Sequence, residues 1–481
     1  MTATITNRIK PELLQNLRVR LRGTAVVPGD DGYDAARRAW NLNAVHRPAL
    51  VVLAQDAGDI AAAVRFARTA GLGVGVLATG HGTGLPCDDG LLINTSRMRQ
   101  VRVDPVARVA RVAAGAIWDD VLAAAAVHGL VGLPGSSTTV GVVGSTLGGG
   151  FGWLGRRYGL AAHSIISADV VTADGDCITA SPNDHPALFW GLQGGTGNFG
   201  IVSALEFALH PVSEIYGGNL YYPLPQARDV LGFFAEWSRR TPPELTAAAT
   251  FRSFPPLPTV PQVLRGKSFI AIRGCYCGDV AAGQALIDKA RKVLGPAAVD
   301  TFTAMPAAAL AGISLDPVEP LGALNHLELI SDLTPDTIDA LLEVAGPQSR
   351  SPLVMVELRQ LGSALAGPAG ALSPMAHTPA RFSLNAIGVT TTPEQATAVR
   401  AHLAVVAAAL RPHSTGDTYV NFLDLDGATP QRIRSAYSAA DWDRLTRLKA
   451  HYDPHNVFRF NRNIPGAGLA ASSGNQPPQG K

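Results

Sequence analysis

A single histidine stands between two glycines in the segment "LATGHGTGLPCDDG", residues 77–90. An imidazole nitrogen is a competent nucleophile and hydrogen-bond acceptor near neutral pH, so His81 is suited to contact a bound molecule. Gly80 and Gly82 have no Cβ atom, which lets that molecule approach the backbone closely. This pattern predicts a ligand-binding loop; the alternative is a histidine that only forms hydrogen bonds within a turn.

The elements around this loop are strands that alternate with helices. The segment "ALVVLAQ" is typical of a strand, "AGDIAAAVRFARTAG" of a helix that ends at a glycine, and "LGVGVLATG" of a strand that leads into the His81 loop. Residues 134–152, "PGSSTTVGVVGSTLGGGFG", then contain seven glycines in nineteen positions, so few side chains cover that surface. From residue 213 onward helical and strand patterns alternate over about 200 residues, which predicts a second, α+β domain.

Composition limits the classes of partner. The chain has 481 residues, enough for two or more domains, and its 40 basic and 38 acidic residues give a formal charge of +2 without a basic block. Neither nucleic acid nor a membrane is therefore an expected partner. The first residues, "MTATITNRIKPELLQNLRVRLRG", lack the apolar core of a signal peptide, and a cytoplasmic location is expected. Only six of the forty basic residues are lysine, which is typical of a GC-rich bacterial genome.

The four cysteines do not indicate a metal site or a disulfide framework. Cys87, Cys177, Cys275 and Cys277 form no CxxC pair, so buried or free thiols are expected, and no metal is expected. Cys87, in an acidic segment, is expected to be exposed.

One glycine motif is rejected as a dinucleotide site. Gly195, Gly197 and Gly200 in "GGTGNFG" have the GxGxxG spacing, but that fingerprint requires a strand before the glycines and a helix after them. Here "HPALFWGLQ" is helical in pattern and "IVSALEFAL" is strand-like, so the order is reversed. No GxSxG, HExxH or Walker sequence is present either.

Five motifs together carry a resemblance to a known family. The segments "ATGHGTG", "VGVVGSTLGGGFGWLGRRYGLAAHSI", "LFWGLQGGTGNFGIV", "YVNF" and "YDPHNVFRFNRNIP" occur in the order seen in FAD-linked oxidases of the berberine bridge enzyme-like group, within the vanillyl-alcohol oxidase (PCMH-type) superfamily. The resemblance implies an α+β, two-domain PCMH-type FAD-binding fold whose substrate domain has a seven-stranded or similar antiparallel sheet backed by helices. The implied parts are residues 1–212 for FAD binding, 213–417 for the substrate, 418–466 returning to the FAD domain, and 467–481 as a disordered tail.

The resemblance also implies an FAD site. His81 matches the histidine that relatives bond covalently to the flavin, although Thr79 replaces the usual first glycine. Ser137 falls where many relatives have a second, cysteine tether, and serine is a poorer nucleophile, so one covalent bond is expected. Cys87 is a less favoured alternative. The remaining expected contacts, many of them backbone groups that suit a pyrophosphate, are Gly80, Gly82, Thr83, Gly135, Thr138, Thr139, Gly141, Gly144, Ser145, Gly148, Gly149, Gly150, Gly152, Tyr158, Gly159, Leu160, Ala161, Ile201, Asn421 and Asn461. Each also has a simpler interpretation as packing or turn chemistry.

Two residues are expected to act on the substrate. Tyr419, in a Y-x-N pattern with Asn421, matches a tyrosine that acts as a base in relatives, and strand periodicity would put both side chains on one face. A phenol with a pKa near 10 needs a neighbouring positive charge to take a proton at neutral pH; the alternative is a tyrosine that only packs. Glu357, with Arg359 on one strand face and Gln360 on the other, is expected to serve as a base or to activate Tyr419, or else to form an ion pair.

The implied reaction is hydride transfer from a substrate carbon to FAD, with O2 as electron acceptor and H2O2 as product. Val140 matches a position where many oxidases of the group have valine. A dehydrogenase with another acceptor, and a flavin-binding protein or cyclase without net redox turnover, are the alternatives. The substrate is expected to be a small molecule such as a sugar, an alcohol, an amine or a natural-product intermediate, and nothing in the sequence demands an ionic ligand.

Overall fold

The N-terminal part of the fold contains two sheets and their covering helices. The computed structural model describes residues 9–82, 85–258, 260–366, 373–375, 379–424 and 426–468. The strands of this part are β1 (Thr24–Val26), β2 (Leu50–Leu53), β3 (Val74–Leu77), β4 (Leu91–Asn94), β5 (Val101–Asp104), β6 (Val109–Ala113), β7 (Ile165–Val171), β8 (Cys177–Ala180) and β9 (Ile201–Ala208). The helices are α1 (Pro11–Arg20), α2 (Tyr33–Ala36), α3 (Ala57–Ala70), α4 (Trp118–Ala126), α5 (Val142–Leu147), α6 (Gly155–Tyr158) and α7 (Pro186–Leu192). One sheet has the order β1-β2-β4-β3 and the other β5-β6-β9-β7-β8.

The predicted strand, helix and strand before the His81 loop are confirmed as β2, α3 and β3. Asp56 caps α3 by accepting a hydrogen bond from the Asp59 N–H at 3.0 Å, and Gly71 ends the helix with a left-handed φ of 67°. Strands β2 and β3 both pair in parallel with β4, and most of their residues are buried, although Val76 of the edge strand β3 is 49% exposed. The His81 loop therefore begins directly after the C-terminal end of β3 at Leu77.

The middle part of the chain forms one large sheet. Its strands are β10 (Glu214–Pro223), β11 (Leu245–Ser253), β12 (Ser268–Tyr276), β13 (Val299–Asp300), β14 (Thr303–Pro306), β15 (Ala323–Ile330), β16 (Met355–Gln360) and β17 (Phe382–Val389). The order is β13-β10-β12-β11-β16-β17-β15, with β14 also pairing with β10, and every pair is antiparallel. The helices are α8 (Ala227–Ser238), α9 (Val280–Leu294), α10 (Ala311–Ser314), α11 (Pro335–Ala345) and α12 (Pro393–Leu410).

Helices α8, α9, α11 and α12 cover one face of this sheet. Leu358 of β16 lies in the same buried cluster as Phe234 of α8, Leu341 of α11 and Val406 of α12. Apolar side chains alternate with polar ones along the strand, so the opposite face is left for the N-terminal part. The predicted α+β fold, with an antiparallel sheet backed by helices, is confirmed.

The glycines of "GGTGNFG" lie between α7 and β9. A helix precedes them and a strand follows them, which confirms the order on which the dinucleotide fingerprint was rejected.

A short C-terminal part returns to the N-terminal sheets. Its helices are α13 (Pro430–Arg434) and α14 (Ala439–Tyr452). From α14 the Lys449 Nζ atom donates to the backbone carbonyls of Asn198, at 2.9 Å, and Phe458, at 3.0 Å. It also pairs with the Asp453 carboxylate at 2.7 Å, and neither side chain is exposed. The hydrogen bond from Lys449 to Asn198 thus joins α14 to the turn before β9.

The remaining expectations concern the domain boundaries, the C-terminal tail and membrane-spanning helices. The domain boundaries after residues 212 and 417 stay a prediction, and residues 469–481 of the expected tail lie outside the described residues. Within the described ranges no helix is both long enough and apolar enough to cross a membrane.

Replacing Lys449 with methionine leaves the Asp453 carboxylate buried without its cation. Removal of one partner from a buried ion pair typically costs about 3–5 kcal/mol, so K449M is expected to lower the free energy of unfolding by about that amount. Chemical denaturation measures the change. The exposed Lys292→Met is the matched control, and a K449M effect as small as that of K292M would contradict this role.

Candidate active site

The His81 ring is held by three neighbours. It stacks on Trp40, with ring centroids 4.3 Å apart and 14° between the planes. Its Nδ1 atom lies 3.0 Å from the Thr79 hydroxyl and its Nε2 atom 3.2 Å from the Thr139 hydroxyl. Burial lowers the pKa of His81 to about 4, so the imidazole is neutral at pH 7. A neutral imidazole keeps one nitrogen lone pair, which a nucleophile needs.

The two glycines beside His81 have different roles. Gly80 has a φ of 75°, and a Cβ atom there would lie 2.6 Å from Ala39, so the fold itself requires glycine. A Cβ at Gly82 would meet only the Arg462 guanidinium, at 3.7 Å, which leaves room beside the backbone. The expected contact Thr83 lies outside the described residues.

The hydroxyl of Ser137 is linked to His81 through the hydroxyl of Thr139. It lies 3.0 Å from the Thr139 hydroxyl, which in turn contacts the His81 Nε2 atom. Thr138 is buried beside it at 6% exposure. Thus Ser137 has a threonine and not a base as its hydrogen-bond partner, which agrees with its expected inertness as a second tether.

The glycine-rich segment divides into packing positions and open positions. A Cβ would lie 1.8 Å from the Asn421 Oδ1 atom at Gly148, 2.6 Å from Ala161 at Gly150, and 1.8 Å from the Pro134 carbonyl at Gly152. These three positions must be glycine for the protein's own packing, so the simpler interpretation accounts for them.

The open positions are Gly135, Gly141 and Gly144. A Cβ at Gly135 or Gly141 would meet nothing closer than 3.7 Å or 3.4 Å, and one at Gly144 would meet nothing within 4 Å. Ser145 is engaged within the protein, since its hydroxyl donates to the Gly141 carbonyl at 2.8 Å and lies 3.1 Å from the Trp118 indole nitrogen. Among the described residues, the free space beside the backbone of this segment is therefore greatest at Gly144.

The other expected FAD contacts lie around the same segment. Tyr158 packs on the His210 ring at 4.1 Å, and Gly159 has a φ of 85°. The Ala161 N–H donates to the Gly150 carbonyl at 2.9 Å, and Ile201 begins β9 at 3% exposure. Their cofactor roles stay predictions.

Buried polar atoms without partners mark the C-terminal edge of the site. The Asn461 side-chain nitrogen donates to the Gly197 carbonyl at 3.0 Å, but its Oδ1 atom has no partner in the structure. The same holds for the Asn463 Oδ1 and Arg462 Nε atoms. Buried polar groups are normally paired, so these atoms are available to a polar ligand or to water. Sequence reasoning missed Arg462, although it stands inside the motif "FNRNIP".

Tyr419 and Asn421 do not lie on a strand, which corrects the sequence expectation. Tyr419 precedes a 3₁₀ turn over Val420–Phe422. The side chains still meet, because the Asn421 Nδ2 atom lies 3.3 Å from the Tyr419 hydroxyl and donates to the Ser145 carbonyl at 2.7 Å. The turn replaces the strand because both side chains pack onto the glycine-rich segment, where tertiary contacts override local propensity.

One side-chain donor lies beside the Tyr419 oxygen. The Asn421 Nδ2 atom is that donor, and the ring lies against Gly149, where a Cβ would be 3.0 Å from the hydroxyl. Burial raises the pKa of Tyr419 and outweighs the opposing effect of the neighbouring N–H groups. The phenol is therefore protonated at neutral pH.

Glu357 is an ion-pair residue in this structure. Its carboxylate lies 2.6 Å from Arg273 and 2.6 Å from Arg359, and 3.4 Å from the Thr250 hydroxyl. Burial acts to raise the pKa of Glu357, but the two guanidinium groups outweigh it and hold the pKa below the usual range. No contact between Glu357 and Tyr419 occurs among the described residues, so its role as a base stays a prediction that these ion pairs oppose.

Cys87 is buried, which corrects the expectation of an exposed thiol. It is 0% exposed and packs against Gly75 of β3, where a Cβ would lie 3.1 Å from the sulfur. Burial raises the pKa of Cys87 to about 12, so the thiol is protonated at neutral pH. All four cysteines are free, as expected.

Comparison with known proteins agrees with this geometry. An FAD binding domain matches residues 48–181, and a berberine and berberine-like segment matches residues 418–465. The chain is 26% identical over 452 residues to an FAD-linked oxidoreductase of Dictyostelium discoideum, covering 92% of this chain and 95% of that protein. It is 34% identical over 220 residues, 45% of each chain, to (R)-6-hydroxynicotine oxidase of Paenarthrobacter nicotinovorans.

The fold is also that of a solved structure of berberine bridge enzyme from Eschscholzia californica. That structure superposes with a TM-score of 0.80 at 20% identity, over 94% of this chain and 99% of that one. The two matched segments contain the residues that meet at the site, His81 and the glycine-rich run in one and Tyr419 with Asn421 in the other. The chain thus combines an FAD binding domain with a berberine and berberine-like segment, and it is similar in both to FAD-linked oxidoreductases of the berberine bridge enzyme-like group.

Proposed function

We propose that the protein is an FAD-dependent oxidase of a small molecule, with the flavin bonded to His81 and O2 as electron acceptor. The observation that carries this proposal is the convergence of the His81 loop and the Tyr419 turn on one glycine-rich segment. Thr139 of that segment contacts His81, and the Tyr419 ring lies against Gly149 of the same segment, where a Cβ would be 3.0 Å from the Tyr419 hydroxyl.

Two features of the structure fit FAD. The open backbone at Gly82, Gly135 and Gly144 provides bare surface for a large planar cofactor, and the unpaired atoms of Asn461 and Arg462 provide polar partners. When bound, FAD supplies the acceptor for a hydride from the substrate carbon and passes the electrons to O2, which gives H2O2.

A single covalent bond through His81 is the proposed tether. The neutral imidazole keeps one nitrogen lone pair, whereas the hydrogen-bond partner of Ser137 is Thr139 and not a base, and Cys87 is a protonated thiol inside the core. Thr79 and Thr139 fix the ring by contacting both of its nitrogens.

Tyr419 is the proposed proton acceptor. Removal of a hydride from an alcohol or amine carbon requires loss of the proton on the neighbouring oxygen or nitrogen. Because burial raises the pKa of Tyr419, the phenol would need a positive charge from the bound cofactor or substrate to take that proton, and Asn421 lies beside its hydroxyl to orient it. Val140, half-buried beside the main core, favours an oxidase over a dehydrogenase because it matches a position where many oxidases of the group have valine.

Substitutions at Gly144 and Gly148 distinguish a glycine that contacts FAD from a glycine that the packing of the protein requires. Gly144→Ala places a methyl group where the structure has free space, so folding stability is expected to change by less than about 1 kcal/mol while the flavin content falls. Gly148→Ala forces Asn421 to move, so a loss of folding stability is expected. Thermal unfolding and flavin absorbance measure both. A G144A variant with full flavin content would remove Gly144 from the cofactor site.

Tyr419→Phe removes the proposed base and keeps the ring. Reduction of the bound flavin by substrate is expected to slow roughly 10²- to 10⁴-fold, the usual range for loss of a general base, with normal flavin content. Anaerobic stopped-flow absorbance measures the rate, using whichever sugar, alcohol or amine of a panel bleaches the wild-type flavin. Tyr222→Phe, in the helix-covered core, is the control. A Y419F rate within about threefold of wild type would refute the assignment.

The choice of electron acceptor is tested by reoxidation. Photoreduced wild-type protein is expected to be reoxidised by O2 with release of one H2O2 per flavin, and Val140→Ile is expected to slow that step without changing reduction. Slow reaction with O2 and fast reaction with an organic dye would instead identify a dehydrogenase. Failure of every substrate in the panel to bleach the flavin would favour a protein without net redox turnover.

A further inference from the structure

The face of the middle sheet that meets the N-terminal part carries a group of charged side chains. Residues directly opposite each other in antiparallel strands point to the same face. Ala248 of β11 is opposite both Arg359 and Arg273, and Thr250 is opposite Glu357. Arg273, Glu357 and Arg359 therefore share one face, and we name these three residues the arginine–glutamate cluster.

The cluster is buried and carries an excess of one positive charge. Its three side chains are 4–5% exposed, and the single carboxylate of Glu357 is shared by two guanidinium groups. Arg252 on the same face has Asp316 near it as a compensating charge. No second carboxylate pairs with Arg273 or Arg359 in the described residues. A buried charge without a counter-charge is costly, so the excess calls for an anion.

Within the arginine–glutamate cluster, the guanidinium nitrogen without a hydrogen-bond partner belongs to Arg359. Arg273 donates from Nε to the Asn219 side chain at 2.9 Å and from Nη2 to the Ile313 carbonyl at 2.9 Å, besides its bond to Glu357. Arg359 has Glu357 and the Ser136 hydroxyl as partners, both through Nη2, and its buried Nε atom has none. A buried hydrogen-bond donor without an acceptor is rare in native proteins.

Arg359 lies against the candidate active site. Its Nη2 atom is 2.8 Å from the hydroxyl of Ser136, the neighbour of Ser137. Its guanidinium lies 4.1 Å from the Trp153 ring centroid and 5.4 Å from that of Phe151, and Phe151 contacts the Tyr419 ring edge-on at 6.3 Å. One aromatic ring thus separates Arg359 from the proposed base.

We propose that Arg359 binds a carboxylate of the molecule that is oxidised, so that the substrate is a small carboxylic acid with an apolar or aromatic body. This inference rests on the proposed function. The planar guanidinium edge matches a carboxylate in geometry, and one excess charge matches a monoanion, whereas a phosphate dianion would leave the cluster negative. Phe151, which lies between Arg359 and Tyr419, provides an apolar ring beside this position. A neutral sugar would leave both the excess charge and the Arg359 Nε atom unpaired.

Benzoate and its neutral analogue benzamide test this on the flavin-loaded wild-type protein. Isothermal titration calorimetry measures both affinities without turnover, and a change in flavin absorbance locates binding beside the cofactor. Benzoate is expected to bind roughly 10- to 100-fold more tightly than benzamide, the range for a hydrogen bond to a charged group. Equal affinities would overturn the inference, and so would tighter binding of inorganic phosphate than of benzoate.

Variants assign the effect to Arg359. Arg359→Gln is expected to bring the benzoate-to-benzamide ratio within about threefold, because the guanidinium is lost. Arg359→Lys keeps the charge and the Glu357 pair but not the planar fork, so it is expected to lower the ratio partly. The exposed Arg228→Gln is the control and should keep the wild-type ratio. A wild-type ratio in folded R359Q or in R359K would overturn the assignment.

This test is independent of the oxidase assays. Calorimetry requires neither reduction of the flavin nor H2O2 release, so preferential binding of benzoate by a protein that oxidises nothing would refute the proposed function alone. Rapid oxidation of neutral substrates by a protein without that preference would refute the carboxylate site alone.

Discussion

The architecture of the site depends on the contact between Asn421 and Gly148. The Asn421 side chain occupies the space that a Cβ would take at Gly148, with Oδ1 only 1.8 Å from that position, and donates to the Ser145 carbonyl. Asn421 in turn lies beside the Tyr419 hydroxyl. Because the partners are 273 or more residues apart in sequence, this contact brings the two matched family segments into one site.

Two buried ionic groups serve different purposes around that contact. Lys449 and Asp453 are fully paired, and Lys449 also satisfies two backbone carbonyls, so they account for their own burial and hold the C-terminal part in place. The arginine–glutamate cluster is not balanced, since one carboxylate faces two guanidinium groups and one Arg359 nitrogen lacks a partner. An ion pair with equal opposite charges needs no ligand to account for its burial. A buried cluster with an excess of positive charge instead points to a bound molecule that supplies the negative charge.

Local patterns in the sequence were sufficient for the elements that lead into and follow the His81 loop. The α3 cap at Asp56, the glycine end at Gly71 and the order of α7 and β9 all follow from short-range chemistry. Three features did not follow. The turn at Tyr419 is set by packing on distant glycines, and Cys87 is buried by its neighbour Gly75. The arginine–glutamate cluster joins β12 and β16, whose side chains are scattered in sequence, so no block of charge was visible.

The covalent bond between FAD and His81 is the central claim, because it fixes where the cofactor lies relative to Tyr419 and Arg359. Denaturation of the purified wild-type protein followed by proteolysis and mass spectrometry tests it most directly. We expect yellow flavin to stay with the denatured polypeptide and to map to one peptide that contains His81, with none on the peptide that contains Ser137. Release of all flavin by acid would contradict the covalent bond, and flavin attached to Cys87 would contradict the choice of His81.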